Sequence, residues 1–138
     1  MADIAFGEIE LGEVEAVVAL WECCGLIRPW NDPRADIAFA STQTNAAVLV
    51  GRAGGAIVAS AMVGHDGHRG AVYYVAVDPA ARGRGYGRST MAAAEAWLAA
   101  RGVWKLNLMV RPDNAGVIQF YKALGYITEE RVNLSKRL

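Results

Sequence analysis

Arginine and glycine alternate through Arg82-Gly83-Arg84-Gly85-Tyr86-Gly87-Arg88, a composition suited to holding phosphate. Glycine lets backbone N–H groups close on an anion, and arginine adds permanent charge with forked donors that match phosphate oxygens. The flanks reinforce that chemistry. Ala71-Val72-Tyr73-Tyr74-Val75-Ala76-Val77 reads as a strand, and the alanine-rich stretch from Ser89 to Ala100 as a helix. A helix starting at such a loop presents unpaired N–H donors and the positive end of its dipole to the same anion. Spacing excludes two common nucleotide loops. G-x-x-x-x-G-K-[ST] fails because Arg82 stands at its first glycine and Arg88 at its lysine. G-x-G-x-x-G fails because Gly83-x-Gly85 meets Arg88, and Gly85-x-Gly87 meets Thr90.

What fits is Arg82-x-x-Gly85-x-Gly87, which resembles the [QR]-x-x-G-x-[GA] signature of the GNAT superfamily of acetyl-CoA-dependent N-acetyltransferases. Val75-Ala76-Val77-Asp78-Pro79 is similar to that family's fourth strand and its exit. Asn114 with Phe120-Tyr121-Lys122-Ala123-Leu124-Gly125-Tyr126 resembles its N…(F/L)-Y-x-x-L-G-(F/Y) segment. Arg28-Pro29-Trp30-Asn31-Asp32-Pro33 and Asp66-Gly67-His68-Arg69-Gly70 further resemble a small bacterial subgroup, the YpeA-type proteins. The resemblance implies transfer of acetyl from acetyl-CoA to an amine acceptor, small or peptidic, by direct attack in a ternary complex. A catalytically silent acyl-CoA-binding or interaction module on the same fold is the alternative.

Such a transfer needs a held cofactor, a neutral amine, a polarised carbonyl and a protonated leaving thiol. The N–H groups of Gly83, Arg84, Gly85, Tyr86 and Gly87 suit the pyrophosphate, and Arg82, Arg84 and Arg88 are interchangeable candidates for extra charge there or at the 3′-phosphate. The resemblance implies that backbone groups in Val75, Ala76 and Val77 take the pantetheine arm as if it were a further strand. One such N–H would polarise the thioester carbonyl. It also implies Tyr121 as general acid near the sulfur and Asn114 as a pantetheine ligand, compatible with Asn114 capping its helix. A phenol of pKa ~10 is a weak acid towards a thiolate of pKa ~8.5, uphill by ~2 kcal/mol, so hydrogen bonding to the developing thiolate is the main service expected of Tyr121. For the base, the strand offers no carboxylate, where many relatives carry a glutamate. His65, Asp66, His68, Asp32 and Glu22 stay open, as does a water held by Tyr73 or Tyr74. On the acceptor side, Trp30 gives a flat wall, Asn31 and Asp32 give acceptors for a cation, and Asp66 and Tyr74 border the same region. No metal is expected: His65 and His68 flank a glycine turn without a third ligand.

These groups need a scaffold. The 138 residues form one domain, 1–138, long enough to bury about two-thirds of the unfolded surface. No apolar run approaches the ~20 residues that span a bilayer, and the acidic start Met1-Ala2-Asp3-Ile4 lacks a signal pattern. Adjacent Cys23 and Cys24 cannot easily pair and match no zinc spacing, so buried thiols in a reducing cytoplasm are expected. Net charge is zero, yet residues 1–81 hold 4 Lys/Arg against 10 Asp/Glu and residues 82–138 hold 10 against 4. A basic half suits CoA and an acidic half a cationic amine. Nucleic acid is disfavoured, since the basic residues do not cluster and the pI is near 6.7. No membrane partner is expected, and a homodimer is left open.

Periodicity orders the elements. Asp3 to Ile9 reads as a strand, Leu11 to Cys24 as an amphipathic helix, and Pro33 to about Thr44 as a second helix behind the N-cap Asp32. Ala46 to Arg52 and Ala56 to His65 make a hairpin across Ala53-Gly54-Gly55. The strand 71–77, a helix 86–101, a strand 104–110, a helix 115–124 and a last strand 126–134 follow. The order β-α-α-β-β-β-α-β-α-β predicts an α/β (α+β) fold: a mixed, mostly antiparallel sheet of about six strands with helices on both faces. It is the order the resemblance implies.

Overall fold

A computed structural model describes residues 3–138; Met1 and Ala2 of the acidic start lie outside it. The chain divides into two compact units, one ending at Leu108 and one running from Met109 to Leu138.

The first unit is built on a five-stranded sheet. Its strands are β1 (Ala5–Glu8), β2 (Ala46–Ala53), β3 (Ala56–His65), β4 (Gly70–Val77) and β5 (Leu106–Asn107), in spatial order β1-β2-β3-β4-β5. β1 to β4 pair antiparallel, and β5 joins β4 in parallel. The β2–β3 turn is the two-residue loop Gly54-Gly55, with φ of 56° and 80°. Positive φ at both positions defines a type I′ turn, whose twist matches that of the flanking strands and which glycine adopts without strain.

Helices cover both faces. α1 (Val14–Cys23) follows a short 3-10 turn at Leu11–Glu13, and α2 (Pro33–Ser41) begins as expected behind Asp32, whose carboxylate accepts from Arg34 N and Ala35 N. Val17, Val18, Leu20 and Trp21 of α1 and Ile37 and Ala40 of α2 close over Val48, Val50 and Ala76 in one core. Alternation turns Ala47, Leu49, Ala61 and Val63 to the opposite face, where α3 (Tyr86–Ala99) buries Met91, Ala94 and Leu98. There α3 lies so close to β4 that a Cβ on Gly70 would stand 2.6 Å from Leu98 Cδ1.

The second unit contains α4 (Ala115–Ala123), ended at Leu124 and Gly125. The expected element order holds through α4. The last strand at 126–134 does not form among the described residues. Ile127, Val132 and Leu134 are 79%, 86% and 87% exposed, so no burial there offsets the entropy of ordering an extended segment. The strand expected at 104–110 contracts to β5, the two residues that find partners in Gly70 and Ala71. The cysteines also depart from expectation. Cys23 points outward from α1 and is exposed, and only Cys24 is half-buried.

Candidate functional site

The loop after β4 is folded by its own side chains. Asp78 accepts from Ala80 N at 2.9 Å and starts a 3-10 turn at Pro79–Ala81, which hands the chain to Arg82 in extended geometry. Gly85 then takes φ 80° and serves as the N-cap of α3. That conformation is open to glycine and costly for other L-residues. No side chain caps α3, whose first backbone bond runs from Ser89 N to Gly85 O. The N–H groups of Tyr86, Gly87 and Arg88 therefore emerge unpaired at the positive end of a 14-residue helix. Arg82, Arg84 and Arg88 stand exposed around them. The Tyr86 side chain turns inward: it is buried, and its hydroxyl donates to Asp3 Oδ1 at 2.9 Å. That bond, helped by the charge of Arg84, holds the Asp3 carboxyl below its usual range.

β4 is irregular beside this loop. Its register steps from Met62↔Tyr73 to Ser60↔Ala76, so three β4 residues are spanned where β3 uses two. The surplus is a β-bulge at Tyr74 and Val75, and Tyr74 has φ 53°, the one described non-glycine residue with positive φ. Asp78 N donates to Val58 O at 2.8 Å. Antiparallel alternation consequently directs the backbone groups of Val77 and Val75 away from β3, toward the outer edge. β5 pairs with that edge only at Gly70 and Ala71, which leaves it without a strand partner from Val72 onward among the described residues. Cys24 Sγ donates to Val77 O at 3.3 Å, with burial raising the thiol's pKa against the opposing effect of Arg82. The Ala76 side chain packs into the core under α1.

On the helical face, Tyr74 is held from several sides. Its ring stacks on the fully buried Trp21 at 3.8 Å and 5°. Trp21 Nε1 donates to Ser60 Oγ at 2.8 Å, and Ser60 Oγ donates to the Tyr74 carbonyl at 2.9 Å. The Tyr74 hydroxyl donates to Asp36 Oδ2 at 2.7 Å and is also hydrogen-bonded by the Asn31 side chain. Burial, then the bond to Asp36, pushes the phenol up to about 12.

The structure thus brings Asn31 to Tyr74 and adds Asp36 and Ser60, which the sequence reading did not include. It does not bring Asp32 or Asp66 to them. One oxygen of the Asp32 carboxylate, Oδ1, serves the N-cap of α2. Asp66 lies beyond the other end of β4 and accepts from Arg69 N at 2.8 Å and His68 N at 2.9 Å, bonds that hold its pKa down. His65 accepts from Gly67 N within the same turn. Trp30 is 59% exposed. Among the described residues no His, Cys, Asp or Glu cluster could hold a metal.

In the second unit Asn114 caps α4, its Oδ1 accepting from Val117 N at 3.4 Å. Tyr121 is buried, with edge-on contacts to Phe120 at 5.1 Å and Tyr126 at 5.6 Å, and burial raises its pKa.

The family model described as "Acetyltransferase (GNAT) family" matches residues 14–126. An acetyltransferase of Yersinia enterocolitica is 48% identical over 126 residues, which are 91% of this chain and 89% of that one. An acetyltransferase of Pectobacterium atrosepticum is 47% identical over the same shares. Among solved structures, AAC(6')-Iy in complex with a bisubstrate analogue superposes with a TM-score of 0.84 at 19% identity, covering 99% of both chains. The ribosomal-protein-S18-alanine N-acetyltransferase of Escherichia coli gives 0.72 at 24%, over 88% of this chain and 76% of that one. At these identities the two structures speak for the fold alone.

Proposed function

Because the chain belongs to the GNAT family of acetyltransferases, we propose that it moves acetyl from acetyl-CoA to an amine by direct attack within a ternary complex. The observation that carries this reading is the junction of β4 and α3. There a bulged strand with an unpartnered outer edge runs into a helix whose uncapped N–H groups are ringed by three arginines.

The residues present fit the donor. Gly83, Arg84, Gly85, Tyr86 and Gly87 hold the pyrophosphate through backbone N–H groups, and Arg82, Arg84 and Arg88 supply charge for it and for the 3′-phosphate. Val75 and Val77 offer outward backbone groups to the pantetheine arm, and Ala76 between them keeps the strand against the core. Acetyl-CoA supplies the activated thioester carbonyl. At that carbonyl the Val75 N–H, re-aimed by the bulge, stabilises developing oxyanion charge. Asn114 and Tyr121 are assigned by the motif they occupy, Asn114 to the pantetheine and Tyr121 to the departing sulfur.

The acceptor loses one proton before attack and a second after it. One N–C bond forms, one C–S bond breaks, Tyr121 gives its proton to the leaving thiolate, and the acceptor's second proton restores the phenol. Tyr74 is not the base, since its only proton is committed to Asp36 and its pKa is raised to about 12. With no carboxylate on β4, the first proton leaves through water. Trp30, Asn31 and Tyr74 border the acceptor. We further take 1–138 as one catalytic domain of the YpeA-type subgroup, acting in the cytoplasm where acetyl-CoA is available.

Release of free thiol from acetyl-CoA over a panel of amines tests the reading. Amine-dependent release is expected, together with a rise in melting temperature on adding CoA that ATP does not reproduce. A CoA-induced rise without release for any amine would leave a silent binding module, and no rise with CoA would remove the donor site.

A further inference from the structure

We propose that Asp36 holds the positive charge of the acceptor and thereby makes this enzyme selective for cationic amines, an assignment that rests on the acetyltransferase reading above. Asp36 lies in the first turn of α2, half-buried, and receives the Tyr74 hydroxyl across 38 residues of sequence. Packing alone does not require this bond, since a phenylalanine would stack equally well on Trp21. What the hydroxyl adds is orientation. With Asn31 bonded to the same phenol and Trp21 fixing its ring, the Tyr74 proton can be directed only at Asp36.

A carboxylate has about four lone-pair positions. The side-chain bond described for Asp36 fills one of them, on Oδ2, and leaves Oδ1 for an incoming donor. No arginine or lysine is in ion-pair contact with it among the described residues, and the nearby cations are engaged elsewhere. Arg34 forms a bidentate pair with Glu15 at 2.6 and 2.8 Å, and Arg28 donates to the carbonyls of Gly25 and Ile27. A half-buried carboxylate held by one neutral hydroxyl and lacking a counter-ion is a receptor for an ammonium group. Its location gives that receptor a purpose. Through the Tyr74 side chain it is tied to the bulge, one residue before the Val75 N–H assigned to the thioester carbonyl. An ammonium seated on Asp36 is therefore brought to the strand segment where transfer occurs. Asp32 and Asp66 bond backbone N–H groups through Oδ1, and neither carboxylate is joined to Tyr74 and its bulge.

The test is steady-state kinetics of the full chain with acetyl-CoA and a cationic amine such as putrescine. Asp36→Asn is expected to raise the acceptor KM by roughly tenfold or more, the loss of one charge-assisted contact, with kcat and the KM for acetyl-CoA nearly unchanged. Asp36→Glu should recover part of the loss. Tyr74→Phe, which keeps the stack and removes the orienting bond, should raise the same KM by a smaller factor. An unchanged acceptor KM in Asp36→Asn, or a parallel rise of both KM values with a lowered melting temperature, overturns the proposal. If the wild-type chain acetylates no amine, the acetyltransferase reading fails by itself. Calorimetric titration of putrescine into the CoA-saturated protein then decides the role of Asp36. Binding that is lost in Asp36→Asn supports it, and equal or absent binding in the two proteins overturns it.

Discussion

At the scale of single residues, the two tyrosines assigned to the reaction differ in what their surroundings permit. Tyr74 donates to a carboxylate, and its proton is held there. Tyr121 touches the rings of Phe120 and Tyr126, and the one cause that shifts it is burial, which favours the neutral phenol. A phenol kept neutral by desolvation remains a proton donor into the alkaline range, where an amine acceptor is most reactive. Tyr121→Phe is therefore expected to lower kcat by about a hundredfold, the lower end of general-acid effects, with the KM for acetyl-CoA little changed. The loss should persist up the alkaline limb, because burial moves the ionisation of Tyr121 above that of a free phenol. A pH–rate profile of the two proteins checks this, and coincident profiles would return Tyr121 to a packing role.

At the scale of elements, the entry to α1 is pinned by an ion pair. Arg52 of β2 donates through Nε and one terminal nitrogen to the two oxygens of Glu13, at 2.7 and 2.6 Å. Glu13 also accepts from Glu10 N at 2.9 Å, so one carboxylate joins the 3-10 turn to the sheet. The Arg52 bond is the largest of the influences that lower the Glu13 carboxyl from 4.5 to about 2. A carboxylate with a depressed folded-state pKa contributes stability above its unfolded value and loses it as pH falls through the folded one. Both partners keep some solvent contact, 33% for Arg52 and 19% for Glu13, so the contribution is about 1 kcal/mol and not the larger figure of a buried pair. Glu13→Gln should lower the melting temperature by about 2–6 °C at neutral pH, a difference that closes between pH 4.5 and about 2 in thermal scans.

Elements were also where the sequence was most and least legible. Local signals held: the Asp32-Pro33 start of α2, the Gly54-Gly55 turn and the Gly85 start of α3 each rest on a backbone preference of the residue itself. Alternating apolar residues misled at 126–134, because a strand needs a neighbour to pair with as well as a pattern. Asp36 could not be found by spacing. Its meaning depends on a phenol delivered by a bulge in a distant strand, and the positive φ of Tyr74 that accompanies this bulge has no local sequence signal. The oxygen-rich residues that spacing did favour, Asp32 and Asp66, proved to be satisfying their own turns.

At the scale of the whole molecule, the zero net charge conceals a division of labour that side-chain pairing sharpens. The four basic residues of the acidic half are all engaged: Arg28 with carbonyls, Arg34 with Glu15, Arg52 with Glu13, and Arg69 over the ring of Trp104 at 4.4 Å. None of the four forms an ion pair with Asp36. Arg82, Arg84 and Arg88, in contrast, stand exposed on the loop and the first turn of α3 and in no described salt bridge, so their combined field extends into solvent. Such a field attracts a polyanion from a distance, and salt weakens it, the screening length falling from about 10 Å at 0.1 M to about 3 Å at 1 M. If each arginine contributes about 0.5 kcal/mol to CoA as an exposed pair, screening all three costs about 1.5 kcal/mol, or roughly tenfold in affinity. Calorimetry across that salt range should show CoA binding weakened by about tenfold. Dephospho-CoA, which lacks the 3′-phosphate, should bind more weakly at low salt and lose less as salt rises. Equal salt slopes for the two ligands would mean that the arginines serve the pyrophosphate alone.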